Sequence, residues 1–457
     1  MNGCFDEHKD IYYILFPFPD GLLLIFVIAG MQTKKLIYNF SSLGAVQVIN
    51  SLLSLLVVPY VIRRVGAEGF GIIAVAQVVI FFLSVLTDYG FNQTATREIA
   101  LCKNDNNKIS SVFFTVLAAK LLLTLVAFGL LMILLLSVPV FKEHFNLYIL
   151  AFSFVIGQTM QPIWFFQGIE KMQYIAIMTL ISRLMFVALV FVFIKIHGDE
   201  SFYLFFMGVG NIIGGFVAIA IALMKFKVRF FRPLWKDVRL ELSNGWQVTI
   251  TNLSMTTSQY IGIFILRIFT NDLIVGYYSI AEKIYFAMKL MVGLFSQAIY
   301  PAVCQSVQAG RKQVILFFRK HYQFFLGMVI AGCLIVFIFS HWIIFFFAGH
   351  HSDDSSFYLR VMCIAMVIVT LNMPAYLVLL ADDRKKNYLR VFAIGTVLNV
   401  VANIVLVQFF NATGTVIAVV ITELFITIGL SWEAYRLYFY GKKNDKPSLK
   451  SFFYESK

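Results

Sequence analysis

Twelve separate runs of about 20 apolar residues, each long enough to cross a bilayer as a helix, follow one another between residues 40 and 435. They fall at 40–62, 70–91, 111–137, 147–168, 174–196, 202–226, 244–267, 274–300, 318–340, 357–380, 389–410 and 413–435. The runs are apolar all round, as buried or lipid-facing helices are. Transmembrane β-strands would instead alternate over about 10 residues, with polar positions between. Only 13% of the residues are charged and 60% are hydrophobic, whereas soluble chains carry about 25% charge. A chain so poor in charge cannot cover a water-facing surface, and it is too apolar to be disordered. The expected fold is an all-α polytopic membrane protein with twelve transmembrane helices.

Residues 1–30 fit this scheme poorly. Ile11 to Gly30 is apolar, but Pro17, Pro19, Asp20 and Gly21 interrupt it. Lys9 is the sole basic residue there, beside Asp6, Glu7 and Asp10, which is the wrong sign for a secretory leader. Met31-Gln32-Thr33-Lys34-Lys35 then opens like a cytoplasmic start. The expectation is that translation begins at Met31 and that residues 1–30 are an extension, the alternative being a thirteenth, interfacial helix. Residues 441–457 read as a short basic tail.

Orientation follows from lysine and arginine in the short loops. With Lys34 and Lys35 in the cytoplasm, the cytoplasmic segments hold 26 basic residues and the opposite loops five: Arg63, Arg64, Lys142, Lys195 and Arg267. Most of the net charge of +13 is therefore topology. The polar break at Lys225 to Glu241 divides the helices six and six, giving halves at 31–240 and 241–440. A shift of 205 residues matches Asn39 with Asn244, Gly71 with Gly276 and Ala76 with Ala281. An even count makes both halves enter from one side. They would then be related by an axis along the membrane normal, with a cavity between them.

Charges within the spans are costly and survive by facing a cavity or a partner. They are Asp88, Lys120, Arg183, Glu282, Lys283, Lys289, Arg360 and Glu423, joined by Arg267 at the outer end of the seventh span. Glu282 and Lys289 are seven apart on one helix face and are expected to pair, with Lys283 pointing elsewhere. Lys120, Arg183 and Arg360 could instead snorkel to an interface, and Asp88 and Glu423 could be structural groups. The net basic excess favours an anion, for which arginine and lysine are the usual partners. The seventh span is rich in Asn, Gln, Ser and Thr, and the first span, its counterpart, is polar too. Gln247, Asn252 and Gln259 in the one and Asn50 in the other are candidate lumen-lining residues. Such residues also glue helices together. Pro59, Pro162, Pro301 and Pro374 are candidate bending points.

Soluble chemistry is missing. The five cysteines are isolated, so neither a disulfide framework nor a zinc site is expected. There is no phosphate-binding loop for ATP, no nucleophile elbow and no zinc-protease motif. His350, His351, Asp353 and Asp354 form a small external cluster that reads as solvated loop. No cofactor, metal or nucleic acid is expected.

Several stretches resemble one family. Pro59-Tyr60-Val61-Ile62-Arg63-Arg64-Val65-Gly66-Ala67-Glu68-Gly69-Phe70-Gly71 looks like the first external loop of bacterial polysaccharide transporters. Asp88-Tyr89-Gly90-Phe91-Asn92 and Arg97-Glu98-Ile99-Ala100 resemble that family's second helix and first cytoplasmic loop. Trp164-Phe165-Phe166-Gln167-Gly168, and Gly276-Tyr277-Tyr278 with Ala281-Glu282-Lys283, resemble its fourth and eighth helices. From Met31 to about Tyr440 the chain is similar to the O-antigen flippases, in the superfamily that includes multidrug extruders and lipid II flippases. Lipid II flippases usually carry two more helices than the twelve counted here.

The resemblance implies two six-helix lobes in the bacterial inner membrane, with both termini cytoplasmic. It also implies alternating access that moves an undecaprenyl-diphosphate-linked oligosaccharide to the outer leaflet. The O-antigen polymerase and the chain-length regulator would be its protein partners. On this reading Lys283, Arg267, Lys120, Arg183, Arg360 and Lys289 meet the anionic headgroup, and Asp88, Glu282 and Glu423 serve ion coupling or internal pairing. A multidrug exporter of the same fold, which would want a more acidic lumen, and a membrane-embedded glycan polymerase, which would want a large external loop, remain the alternatives.

Overall fold

The computed structural model describes residues 12–14, 26–28, 30–102 and 105–440. The expectations for the tail 441–457 and for most of residues 1–30 lie outside the described residues. Tyr12–Ile14 (β1) and Phe26–Ile28 (β2) pair as antiparallel strands, so those two stretches are not helical. The other described residues are helix and short connection.

The first half of the chain contains α1 (Gly30–Asp88), α2 (Phe91–Leu101), α3 (Asn106–Ser137), α4 (Pro139–Lys142) and α5 (Phe145–Ala151). It continues with α6 (Ser153–Met160), α7 (Ile163–Gly168), α8 (Met172–Phe193) and α9 (Glu200–Met224). A non-helical connector, 225–234, leads to α10 (Trp235–Phe269), α11 (Asp272–Ala309) and α12 (Arg311–Phe317). A π-helical turn at Phe318–Tyr322 joins α12 to α13 (Gln323–Ile338). Then come α14 (Ser340–Ala348), α15 (Asp353–Ala381) and α16 (Lys385–Tyr440).

Nine helices among the described residues are long and apolar enough to cross a membrane. Two of them, Leu56–Leu101 and Lys386–Leu437, each contain a break. Gly66 has a φ of 77° and reverses α1, and Asn411 at φ 50° does the same in α16. Asparagine is one of the few non-glycine residues that adopts such a conformation. The 35-residue α10 falls outside the nine. At 1.5 Å per residue it is roughly 50 Å long, so polarity and not length sets it apart. With the two breaks and α10 taken into account, the helices fit the twelve expected.

Helix ends follow the local sequence. Asp105 caps α3 by accepting from the amides of Asn107 and Lys108 at 3.1 Å. Asn271 caps α11 through the Ile274 amide, and Ser352 caps α15 through that of Ser355. Pro162 separates α6 from α7, whereas Pro59, Pro301 and Pro374 lie inside continuous helices. The long apolar helices turn an inward stripe to their neighbours and an apolar face outward. On α3, Ala119, Leu123, Ala127, Leu131 and Leu135 are buried while Leu121, Leu125 and Leu136 are exposed. An apolar outer face belongs in lipid, because hydrocarbon rather than water is then the solvent.

In the first half α6 and α8 pack on α9, and α1 packs on α6 and α8. In the second, α15 packs on α11, α13 and α16, and α10 packs on α16. The halves meet where α1 crosses α10 and α11. That crossing is reciprocal. A Cβ at Gly71 would run into the Asp272 carbonyl, and one at Gly276 would run into the Ala67 carbonyl. Gly71 and Gly276 are 205 residues apart, and so are Ala67 and Asp272. The glycines matched by the sequence shift therefore face each other across the seam, as positions near a pseudo-two-fold axis must.

Gly276→Val is expected to hold this seam apart, since a side chain there meets backbone rather than a movable side chain. An impermeant maleimide should then label Gln77→Cys, in a cysteine-free background, about tenfold faster than when Gly276 is retained. An unchanged rate would mean that the seam tolerates the added bulk.

Candidate functional site

Between the halves lies a cavity of about 1090 Å³. Its walls come from α1, α8, α10, α11, α15 and α16, and they are mostly apolar and aromatic with charges set among them. Arg183 comes from α8, Lys283, Lys289 and Glu282 from α11, and Glu423 from α16. Three cations thus face two carboxylates in one chamber.

The pairing within the chamber differs from the expectation. Lys289 meets Glu423 at 2.8 Å, not Glu282. Seven residues along a helix is roughly 10 Å of rise, so two side chains can share a face and still be out of reach. Pairs on one helix form at three or four residues instead. Lys283 does point elsewhere, donating to Gln77 Oε1 on α1 at 2.8 Å. Among the described residues neither Lys283 nor Arg183 is ion-paired.

The other expected headgroup residues stand apart from this chamber. Lys120 is 2% exposed and holds Asp88 at 2.9 Å, with a further bond to the Gln158 carbonyl at 3.2 Å. That is an internal clamp of α1 to α3 and α6. Arg360 donates to Ser340 Oγ at 2.8 Å and lies over the Phe337 ring, on the side of α13 and α14.

Of the expected polar lining, Gln259 is on the cavity wall. Gln247 and Asn252 are on the same helix but not on that wall, and the side chain of Asn50 lies outside the described residues. Thr251, Ser254 and Ser258 of the same helix do line it. Gln77, Asn372 and Asn399 on the wall were not anticipated. Gln77 and Asn372 are single amides in apolar runs, and Asn399 is followed one turn on by Asn403, which donates to it; nothing in the local pattern distinguishes them from helix-packing polarity.

Arg267 belongs to a second cluster, at the far end of the bundle beside the turns at Gly66 and Thr270. It grips Asp272 with two nitrogens at 2.6 and 3.0 Å and reaches Glu143 at 3.3 Å. His144 meets the same Asp272 at 3.3 Å. Residues from the turn before α5 are thereby tied to the α10–α11 turn, and Arg63 adds a bond to the Phe346 carbonyl. Glu143, His144 and Asp272 are close enough together to hold a metal. The Arg267 guanidinium already occupies Asp272, however, and its positive charge disfavours a second cation. The His350 and His351 region shows no such group among the described residues. His351 stacks on Phe345, and His341 approaches Asp353 at 3.6 Å.

The hydrogen bond to Asp272 raises the His144 pKa above 6.5, outweighing its partial burial and the nearby Arg267. A raised value means that the proton stabilises the tied form. That stabilisation is complete below about pH 6.5, the unperturbed value, and is lost as pH rises through the raised one. The far end should therefore open more readily in alkali, and labelling of Gln77→Cys should speed up with pH. Thiolate formation speeds labelling with pH in every variant, so the quantity read is the excess rise over His144→Gln; identical pH profiles in the two would place the sensing group elsewhere.

A further carboxyl pair sits at the opposite end. Glu241 is buried near the start of α10, and burial together with Glu98 on α2 pushes its pKa up to about 8.

Helices packed in two halves, an apolar outer surface and a charged chamber between the halves are the features of a membrane transporter. The fold is that of the multidrug and lipid-linked saccharide exporters. An inward-facing multidrug transporter of that superfamily matches with a TM-score of 0.63 at 15% identity, over 86% of this chain and 96% of that one. The lipid II flippase MurJ in an inward closed conformation matches with a TM-score of 0.65 at 16% identity, over 86% and 87%.

Residues 36–307 match the profile of the polysaccharide biosynthesis protein family, and the chain belongs to that family. A relative in Escherichia coli (strain K12), assigned as an O-antigen transporter, is 27% identical over 87% of this chain and 96% of its own length. A Shigella dysenteriae protein with the same assignment is 24% identical over 85% and 98%. In Haloferax volcanii, Agl15, assigned as a low-salt glycan biosynthesis flippase, is 20% identical over 80% and 76%.

Proposed function

We propose that this protein is a flippase that carries an undecaprenyl-diphosphate-linked oligosaccharide, an O-antigen repeat unit, from the cytoplasmic to the periplasmic leaflet. The observation that carries the reading is the chamber with three cations against two carboxylates, in which Arg183 and Lys283 form no ion pair among the described residues. A diphosphate is the kind of group that such unpaired charges hold. The amides of Gln259 and Asn372 and the hydroxyls of Thr251, Ser254 and Ser258 suit sugar hydroxyls, and the polyprenyl tail can stay in lipid. The assignments of the family relatives as O-antigen transporters and as a glycan flippase support the same substrate class.

The lobes 31–240 and 241–440 would rock about the α1–α11 seam. The far-end cluster of Arg267 would close the periplasmic side, both termini facing the cytoplasm. Coupling to a cation, and handover to a polymerase with its chain-length regulator, complete the proposal. A multidrug exporter would want an acidic chamber for cationic drugs, and the cation excess disfavours it.

Expression in a strain lacking its own flippase tests the reading. Restored surface polysaccharide is the expected result. Continued accumulation of lipid-linked repeat units inside the cell, with the protein inserted, would overturn it.

A further inference from the structure

The three acidic residues expected inside the membrane, Asp88, Glu282 and Glu423, are not equivalent. Asp88 is neutralised by Lys120 at 2.9 Å, and Glu423 by Lys289 at 2.8 Å. Among the described residues Glu282 makes no such ion pair. It is 4% exposed, its Oε2 has no hydrogen-bond partner, and it forms part of the cavity wall. The adjacent Lys283 spends its ammonium on Gln77. Around Glu282 stand Tyr260 of α10 and Tyr278, Lys283 and Tyr285 of its own helix. Tyr376 of α15, Tyr388 and the paired Glu423 of α16, and Arg183 of α8 complete the titratable and charged set of the chamber.

A buried carboxylate without a counter-charge persists only if something neutralises it. The smallest neutraliser is a proton from water in the chamber. We infer that Glu282 is a proton-exchanging site of the cavity, whose charge state sets how strongly the cavity holds a diphosphate. This rests on the anion reading given above. Oε2 takes a proton from hydronium in the chamber and returns it to water when the chamber opens to the other side.

With Glu282 neutral, Arg183, Lys283 and Lys289 outnumber Glu423 by two; with Glu282 ionised the excess is one. Proton and anion therefore help each other to bind. Asp88 and Glu423 do not serve in this way, because each is already balanced by a lysine.

Two measurements on the full-length protein test this. Infrared difference spectra across a pH jump, recorded in a Glu241→Gln background so that the other buried carboxyl is silent, should show a protonated-carboxyl band that Glu282→Gln removes and Glu423→Gln keeps. Glu282→Asp should retain the band at a shifted position, which separates loss of the group from loss of the fold. Persistence of the band in Glu282→Gln would overturn the proton site. In the second measurement undecaprenyl diphosphate is the binding probe, and the difference between wild type and variant removes the probe's own titration. Wild type should lose about tenfold more affinity than Glu282→Gln between acid and alkali, the effect of one charge across a partly screened chamber. Identical pH dependence would overturn the coupling. If wild type binds no probe at any pH, the anion reading itself fails, while the infrared band still decides the proton site.

Discussion

Replacing Lys283 by alanine is expected to reduce surface polysaccharide to near background while the protein remains inserted. Among the described residues Lys283 makes no ion pair and donates to Gln77, so its loss removes charge from the chamber without breaking a salt bridge. A charged hydrogen bond to the headgroup contributes about 1.5–3 kcal/mol, which corresponds to roughly 10- to 150-fold in flipping rate. Arg183→Ala should act in the same direction and the double variant more strongly. Arg360→Ala is the informative contrast. Its guanidinium is engaged by Ser340 and the Phe337 ring away from the chamber, so display should persist. Equal loss in Arg360→Ala and Lys283→Ala would show that total membrane charge matters, not the chamber. Export assays in a strain lacking its own flippase make the comparison.

The second large effect falls on stability. Lys120→Met is expected to destabilise the protein by about 3–5 kcal/mol, the usual result of removing one member of a buried ion pair. Lys120 is 2% exposed, and it ties α3 to Asp88 on α1 and to the Gln158 carbonyl on α6. The cost comes from Asp88, left without its counter-charge in a low-dielectric surround. Asp88→Asn combined with Lys120→Met should recover most of the loss, because both charges then disappear together. Thermal unfolding in detergent reads both variants. A double variant no better than Lys120→Met would show that the lysine acts through something other than this pair.

Much of the architecture was legible in the sequence because length and apolarity decide what crosses a bilayer. Apart from the short β1–β2 pair the described fold is helical with two lobes, and its helices fit the twelve runs. Even the pairing of Gly71 with Gly276 was visible as a 205-residue echo, although its meaning needed the crossing of α1 and α11. The motif around Gly66 to Gly71 marked the chain's resemblance to polysaccharide transporters, and the family match covers the same region.

The internal charges were legible as a set but not as individuals. Sequence placed Glu282 and Lys289 on one helix face, which was correct as geometry and wrong as a pair. The carboxylate that Lys289 reaches is Glu423, 134 residues away on α16. Likewise, Arg267 is gathered by Asp272, Glu143 and His144 into a tie at the far end, and Lys120 is withdrawn into a clamp inside one half.

By itself the sequence determined the solvent of this protein, its helical content and its excess of internal cations, because these follow from local composition and period. Only the tertiary structure decided which cations are spent on structure and which are left facing the chamber. That division depends on contacts between helices far apart in the chain, and each such contact is set by distances that no one-dimensional spacing contains.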